Sequence, residues 1–173
     1  LMVFTDQNAY FYDGSSFKKI WAEGCSNHRT IKNKGAYMIW ANTNGVWIST
    51  GDQPQNISGE VIDFIRNGNP ANFFAEIVDE IYHLYVGTVT VNGVTYANCD
   101  LKFNIATSTW DWREYANNMT TFARYFDSTK KNRLYMGDTT GTVWEKGKYT
   151  DSTLISGDAQ TTAGTGGTPI SAN

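Results

Sequence analysis

Two histidines, two cysteines and a scatter of carboxylates are the side chains here that could do chemistry. His28 lies in the run Cys25-Ser26-Asn27-His28-Arg29. A cysteine beside a histidine suggests a nucleophile and its base. Working triads, however, draw their members from distant segments. Three such residues in one short stretch do not make that geometry. His83 falls in a predicted strand, Ile81 to Val86, in phase with Ile81 and Tyr85. That phase points to a packed, hydrogen-bonded histidine rather than a ligand. Cys25 and Cys99 are too far apart in sequence for a CxxC metal site or a disulfide framework. They read as two small buried thiols. Glycoside hydrolysis needs two carboxylates roughly 5–10 Å apart. Asp79, Glu80, Asp111 and Glu114 are available, but nothing in the sequence singles out a pair. Gly137-Asp138-Thr-Thr-Gly141 is polar and tight, but lacks the alternating oxygen ligands of a calcium loop. It reads as a β-turn with glycine at positive φ. The sequence thus assigns no catalytic residue, no metal site and no cofactor, and the expectation is a protein that is not an enzyme.

The elements that would position these residues are strands. Aromatic residues make up 14% of the 173 positions, and charged residues only 18%, below the roughly 25% of an average domain. Aromatic and β-branched side chains favour pleated, half-buried surfaces. Net charge is −3, and the densest basic patch is only Lys130, Lys131 and Arg133, followed by Lys18 and Lys19. A nucleic-acid binder would present a basic face, so no direct nucleic-acid contact is expected. No apolar run approaches the roughly 20 residues that span a bilayer, so no membrane partner is expected. No secretory leader pattern opens the chain. Leu1-Met2 already begins a strand, which suggests a piece of a longer polypeptide.

One phrase recurs along the chain: an apolar strand, a polar turn, then an aromatic strand. It reads Leu1 to Phe4, a turn at Asp6 to Asn8, then Ala9 to Tyr12. The second copy is Ala36 to Trp40, a turn at Asn42 to Gly45, then Val46 to Ile48. The third is Asp100 to Phe103, a turn at Asn104 to Ser108, then Thr109 to Trp112. The fourth is Asn132 to Met136, a turn at Asp138 to Gly141, then Thr142 to Trp144. Phe11 to Trp47 is 36 residues, Trp110 to Trp144 is 34, and Trp47 to Trp110 is 63. Periods of roughly 20–50 residues mark solenoids, propellers or arrays. Propeller blades are small antiparallel sheets. The fold class is therefore all-β: antiparallel hairpin repeats forming β-propeller blades over 1–150, part of a larger propeller, with one short helix.

That helix is predicted between Ile57 and Gly68. Ser58 would be its N-cap, Val61, Ile62 and Ile65 its apolar face, and Asn67-Gly68 a left-handed stop before Pro70. Another strand is the competing reading. Phe73 to Val78 and Ile81 to Val86 read as paired strands. Asn92-Gly93, between Thr88–Val91 and Val94–Tyr96, is the signal of a type I′ hairpin, one that would protrude. Residues 151–173 are mostly Thr, Ser, Gly, Ala and Asp without periodicity, and read as an extended arm or linker. Trp40, Trp47, Trp110, Trp112 and Tyr115 either fill blade interiors or form an exposed sugar-binding platform.

Taken in order, certain phrases resemble a known group. They are Tyr10-Phe-Tyr-Asp-Gly14, Gly24-Cys25, His28 to Ile31, Tyr37 to Trp40, Asn44 to Trp47, Ile57-Ser58 and the helix. Leu134 to Asp138, Gly141 to Trp144 and Gly167 to Ile170 complete the set. The chain resembles the β-propeller virion proteins of tailed bacteriophages, of the head–tail junction, tail-hub and packaged-DNA-stabilisation type. The resemblance implies a structural protein of the phage virion with no catalytic residues. It implies partners among other virion proteins, a homo-oligomer in the particle, and a location at the tail or head–tail junction. Aromatic anchors and loops would make the contacts, with Asn92, Gly93, Trp110, Trp112, Thr168, Pro169 and Ile170 as candidates. The alternative from another class is a carbohydrate-binding or glycan-cleaving propeller of a tail fibre or secreted protein. A surface propeller acting in adhesion is a third.

Overall fold

The computed structural model describes residues 1–126, 129 and 131–146. The arm expected over 151–173, with Thr168, Pro169 and Ile170, lies outside the described residues. Strands dominate, at 55%, and form four antiparallel sheets. Sheet one holds β1 (Met2–Phe4), β2 (Ala9–Tyr12) and β3 (Phe17–Trp21). Sheet two holds β4 (Lys32–Lys34), β5 (Tyr37–Asn42), β6 (Gly45–Ser49) and β7 (Gln55–Asn56). Sheet three holds β8 (Phe74–Val78), β9 (Ile81–Val91), β10 (Val94–Asn104) and β11 (Thr109–Glu114). Sheet four holds β12 (Met119–Phe126), β13 (Asn132–Asp138) and β14 (Val143–Glu145). Each is a meander whose neighbours in space are neighbours in sequence. The four sheets do not close into a ring.

Three apolar seams join the sheets in chain order. Ala9 and Trp21 of sheet one meet Trp40 of sheet two, with Phe4, Met38 and Trp47 packed around them. Trp21 and Trp40 stack, ring centroids 5.5 Å apart and 9° from parallel. Ile39, Ala41 and Val46 of sheet two meet Leu84, Leu101 and Phe103 of sheet three. Phe74 and Tyr85 of sheet three meet Phe122, Leu134 and Met136 of sheet four. Sheets two and three are thus buried on both faces. Successive side chains of a strand point to opposite faces, so such a strand must be apolar at nearly every position. Tyr37-Met-Ile-Trp-Ala41 and Ile81-Tyr-His-Leu-Tyr-Val86 read that way. At the first seam Trp40 Nε1 donates to the Gly24 carbonyl, 3.1 Å away. A Cβ at Gly24 would stand 2.2 Å from the Thr5 carbonyl oxygen, so only glycine permits this approach.

The four recurring hairpins share one device. The last residue of the first strand, or the one after it, caps its own turn with a side-chain oxygen. Thr5 Oγ1 accepts from Asn8 N, and Asn42 Oδ1 from Asn44 N. Asn104 Oδ1 accepts from Ala106 N and Thr107 N, and Asp138 Oδ1 from Thr140 N and Thr142 N. Asx and Ser/Thr side chains mimic a backbone turn in this way. The indole of Trp47 then donates to Asn42 Oδ1 at 3.0 Å, and that of Trp144 to Asp138 Oδ2 at 2.9 Å. Trp110 instead donates to the carbonyl of Ile57 at 2.6 Å, tying sheet three to the segment before the helix.

The middle of the chain departs from expectation in four respects. The helix α1 spans only Ile62–Asn67, after a 3-10 turn at Gly59–Val61. Ser58 stands at the N-cap position of that 3-10 turn but gives it no side-chain hydrogen bond; its Oγ accepts from Val46 N at 2.7 Å, serving sheet two instead. Gly68 is no left-handed stop, with φ −79°; a Cβ there would press on the Phe73 ring at 2.8 Å. The Asn92-Gly93 turn has both residues at positive φ, 51° and 79°, as its type requires. Its hairpin does not simply protrude, however. Val89 and Val91 are buried with Phe64 and Ile65 of α1, and Asn67 Nδ2 donates to Thr90 O. Asn92, Gly93, Val94 and Thr95 at the tip are exposed, as are Thr88 and Thr90 on the face turned away from α1. Gly87 and Asn98 bend β9 and β10 at a bulge, at φ 78° and 49°, so each continues past the break in its pattern.

Trp40→Ala should remove the stacked pair and an indole hydrogen bond from the first seam. A loss of about 3–5 kcal/mol in unfolding free energy is expected, measured by urea denaturation. Trp112→Ala, at an exposed site, should change little by comparison.

Candidate functional site

The chemistry-bearing side chains that the structure brings together lie in the third seam. In β-register, Glu76, His83, Lys102 and Asp111 form one row across sheet three, and Phe74, Tyr85, Asp100 and Arg113 the next. Both rows belong to the face turned toward sheet four. The half around Phe74 and Tyr85 is apolar. The other half is a polar network. His83 Nδ1 is 2.9 Å from Asp100 Oδ2, and Tyr115 Oη donates to the same oxygen at 2.9 Å. His83 is 2% exposed, Asp100 and Tyr115 0%. Lys102 reaches outward to Asp111 at 2.5 Å. Lys146, just past β14, brings a further ammonium to this group, its backbone fixed by a hydrogen bond to Leu134 O.

The electrostatics follow from burial. Desolvation, then the neighbouring Lys146, pushes His83 down to about 4, against the pull of Asp100. The ring is therefore neutral at pH 7. Its carboxylate partner can only accept, so Nδ1 carries the proton. Burial opposes the charge on Asp100, but His83 and the cations of Lys146 and Lys102 outweigh it and hold the carboxyl below its ordinary range. Burial, then the Asp100 charge, raises Tyr115 well above its ordinary value, so it stays a donor. Lys146 is lowered to about 7 by burial, with Lys102 and Arg113 adding to the effect. The network has acid, base and hydroxyl within reach of one another. It is sealed between two sheets, and its geometry joins β9, β10 and the exit of β11.

The other residues singled out in the sequence are not brought together. The Cys25 thiol turns inward onto Asn27 O at 3.1 Å and lies 3.4 Å from Thr30 Oγ1; burial pushes it up. His28 is exposed, and no hydrogen bond links the two. Cys25 and Cys99 are both free and buried. The four acids are separately engaged. Glu80 pairs with Lys34, Asp111 with Lys102, Glu114 accepts from Ala97 N, and Asp79 accepts from Asn132. The Asp138 carboxylate accepts five hydrogen bonds, two of them from Asn117 and Trp144 on Oδ2. Burial opposes its charge, but these donors hold it far below the usual carboxylate range. Its role is that of a turn. The aromatics are divided. Trp40 and Tyr115 are buried, Trp47 and Trp110 half-buried, and Trp112 is 42% exposed and packed on Phe64 and Tyr96. They do not form one platform. Asn92 and Gly93 are exposed at their hairpin tip.

Among the described residues, no group of three or more His, Cys, Asp or Glu side chains is placed to hold a metal ion. No described helix is long and apolar enough to cross a membrane. The fold and the sealed network define a β-protein of stacked antiparallel sheets in which a buried acid–base cluster joins strands. No protein-family model and no curated protein matches the sequence.

The network gives stability a defined pH dependence. His83 has a folded pKa of about 4 against 6.5 unfolded. The unfolded chain therefore binds more protons between those values, and stability falls as pH drops through that window. The loss is on the order of 3 kcal/mol once complete. His83→Asn keeps a donor for Asp100 but cannot titrate. Its urea midpoint should fall less steeply than that of the unsubstituted protein between pH 6.5 and 4.

Proposed function

We propose that this chain is a non-catalytic structural module that assembles through the outer faces of its two end sheets. The observation that carries this reading is an exposed aromatic group on each of those outer faces. Sheet one turns Ala9 and Trp21 inward, and its other face carries Tyr10, Tyr12 and Phe17. Phe17 is 63% exposed and pairs with Tyr12 at 4.8 Å. Sheet four turns Phe122, Leu134 and Met136 inward, and its outer face carries Tyr125, Tyr135 and Val143. Tyr125 is 64% exposed. The internal seams of this protein are built from such faces. Contiguous apolar surface on a folded chain marks a contact site. Further sheets packed in the same manner, from a neighbouring chain or a neighbouring segment, would extend the stack, and continued far enough would form a β-propeller. The resemblance to virion proteins of tailed phages supplies the setting: the head–tail junction or tail, among other virion proteins and copies of this chain.

Sedimentation velocity tests this directly. Association that grows with concentration, and is lost in a Phe17→Ser, Tyr125→Ser double variant, is the expected result. So is the chain's presence, by mass spectrometry, in virus particles from its native source. A chain that stays monomeric at high micromolar concentration and is absent from particles overturns the reading.

A further inference from the structure

The third seam opens at one end into a cleft of about 500 Å³. Its walls come from five segments: the turn after β3, the residues before β8, β8 to β9, the bulge of β10, and the start of β12. Phe74, Tyr85 and Met119, each at most 3% exposed, line its base. The rim is polar. Arg29 lies over the Phe74 ring, 4.7 Å from its centroid, and donates to the Thr120 carbonyl. This fixes the guanidinium but uses one of five N–H donors. Arg29 has no carboxylate partner among the described residues, and no acidic residue lines the cleft.

The rest of the rim is neutral and carries unused donors. Asn118 accepts from Tyr85 Oη on Oδ1 at 2.7 Å, and its NH₂ has no acceptor among the described residues. Thr88 Oγ1 accepts from Asn98 N at 3.2 Å and donates to no described residue. The Asn72 side chain makes no hydrogen bond to the described residues. Asn98 is set into the wall by the bulge, at φ 49°, one residue before the Cys99–Gly87 pair, and its amide is engaged by Tyr85 Oη and the Tyr115 carbonyl. Bulges re-aim side chains beside binding sites. The volume falls in the range of about 300–1,000 Å³ typical of small-ligand sites.

We propose that this cleft binds a hydroxyl-rich ligand carrying one carboxylate, the chemistry of an acidic sugar, with Arg29 holding the carboxylate. The free guanidinium edge matches a carboxylate by paired, charge-assisted hydrogen bonds. The amides and hydroxyl of Asn72, Thr88 and Asn118 match ring hydroxyls, which both donate and accept. A single cation in the cleft lining does not make the basic track of a nucleic-acid site. This inference is independent of assembly through the end sheets.

The test is a ¹⁵N–¹H correlation titration of the whole chain with D-glucuronate, D-glucose and inorganic phosphate. Glucuronate should shift the amides of Gly87, Thr88, Asn98 and Thr120 saturably, and bind more tightly than either other probe. Arg29→Gln should weaken glucuronate about tenfold, to the level of glucose. Asn72→Ala breaks no described side-chain hydrogen bond, so it should leave the fold intact and weaken glucuronate about threefold. No saturable shift at these amides overturns the proposal. Equal or tighter binding of phosphate overturns it in favour of a plain anion site. Unchanged affinity in Arg29→Gln also overturns it. Should Arg29→Gln lose its dispersed spectrum, unchanged affinity in Asn72→Ala does the same.

Discussion

Sheets two and three meet apolar neighbours on both faces, and the rest of the fold is arranged around that burial. An antiparallel sheet usually has one face in water. Here β5 directs Met38 and Trp40 into the first seam and Ile39 and Ala41 into the second. Strand β9 directs Tyr82, Leu84 and Val86 into the second seam and His83 and Tyr85 toward sheet four. Sheets one and four are needed to cover these outer faces, and α1 is needed where the long β9–β10 hairpin runs past sheet two. Pairing register is fixed as a result. A slip of one residue would exchange the two seams' side chains wholesale.

The third seam adds a second constraint. A carboxylate with no exposure is tolerable only when hydrogen-bonded and balanced by charge. Asp100, covered by sheet four, therefore depends on His83 from β9 and on Tyr115 just past the end of β11. The histidine that catches the eye as possible chemistry serves this purpose. Its neutral state is the price of its burial. The same seam leaves its other end open, where Arg29 from a distant turn lies over Phe74 and where Asn98 and Gly87 interrupt the ladder. Structural polarity and accessible polarity are thus separated by one apolar patch around Tyr85 and Phe122.

Much of the fold was legible. The four hairpins, the paired strands after Pro70 and the Asn92-Gly93 turn are local matters, governed by turn chemistry and alternation. The strands that escaped notice, β3, β4, β7 and β12, are all edge strands. Phe17-Lys-Lys-Ile-Trp21 and Lys32-Asn-Lys34 carry lysines of the kind that protect an open edge. Those residues hide a strand from any reading based on apolar pattern. Ser58 misled because a serine before an apolar run suits an N-cap, yet a stronger use for its hydroxyl lay across the sheet at Val46.

The sequence alone determined the class of element, the positions of the turns and the packed character of His83. These depend on neighbours within a few residues, whose spacing is written in the chain. Tertiary structure alone decided which faces pair, that Asp100 and Tyr115 complete the histidine's environment, and that Arg29 stands beside residues from sheets three and four. Those pairings join positions 15 to 91 residues apart. They arise because apolar faces bury one another, and no local pattern records which face a folded strand will meet.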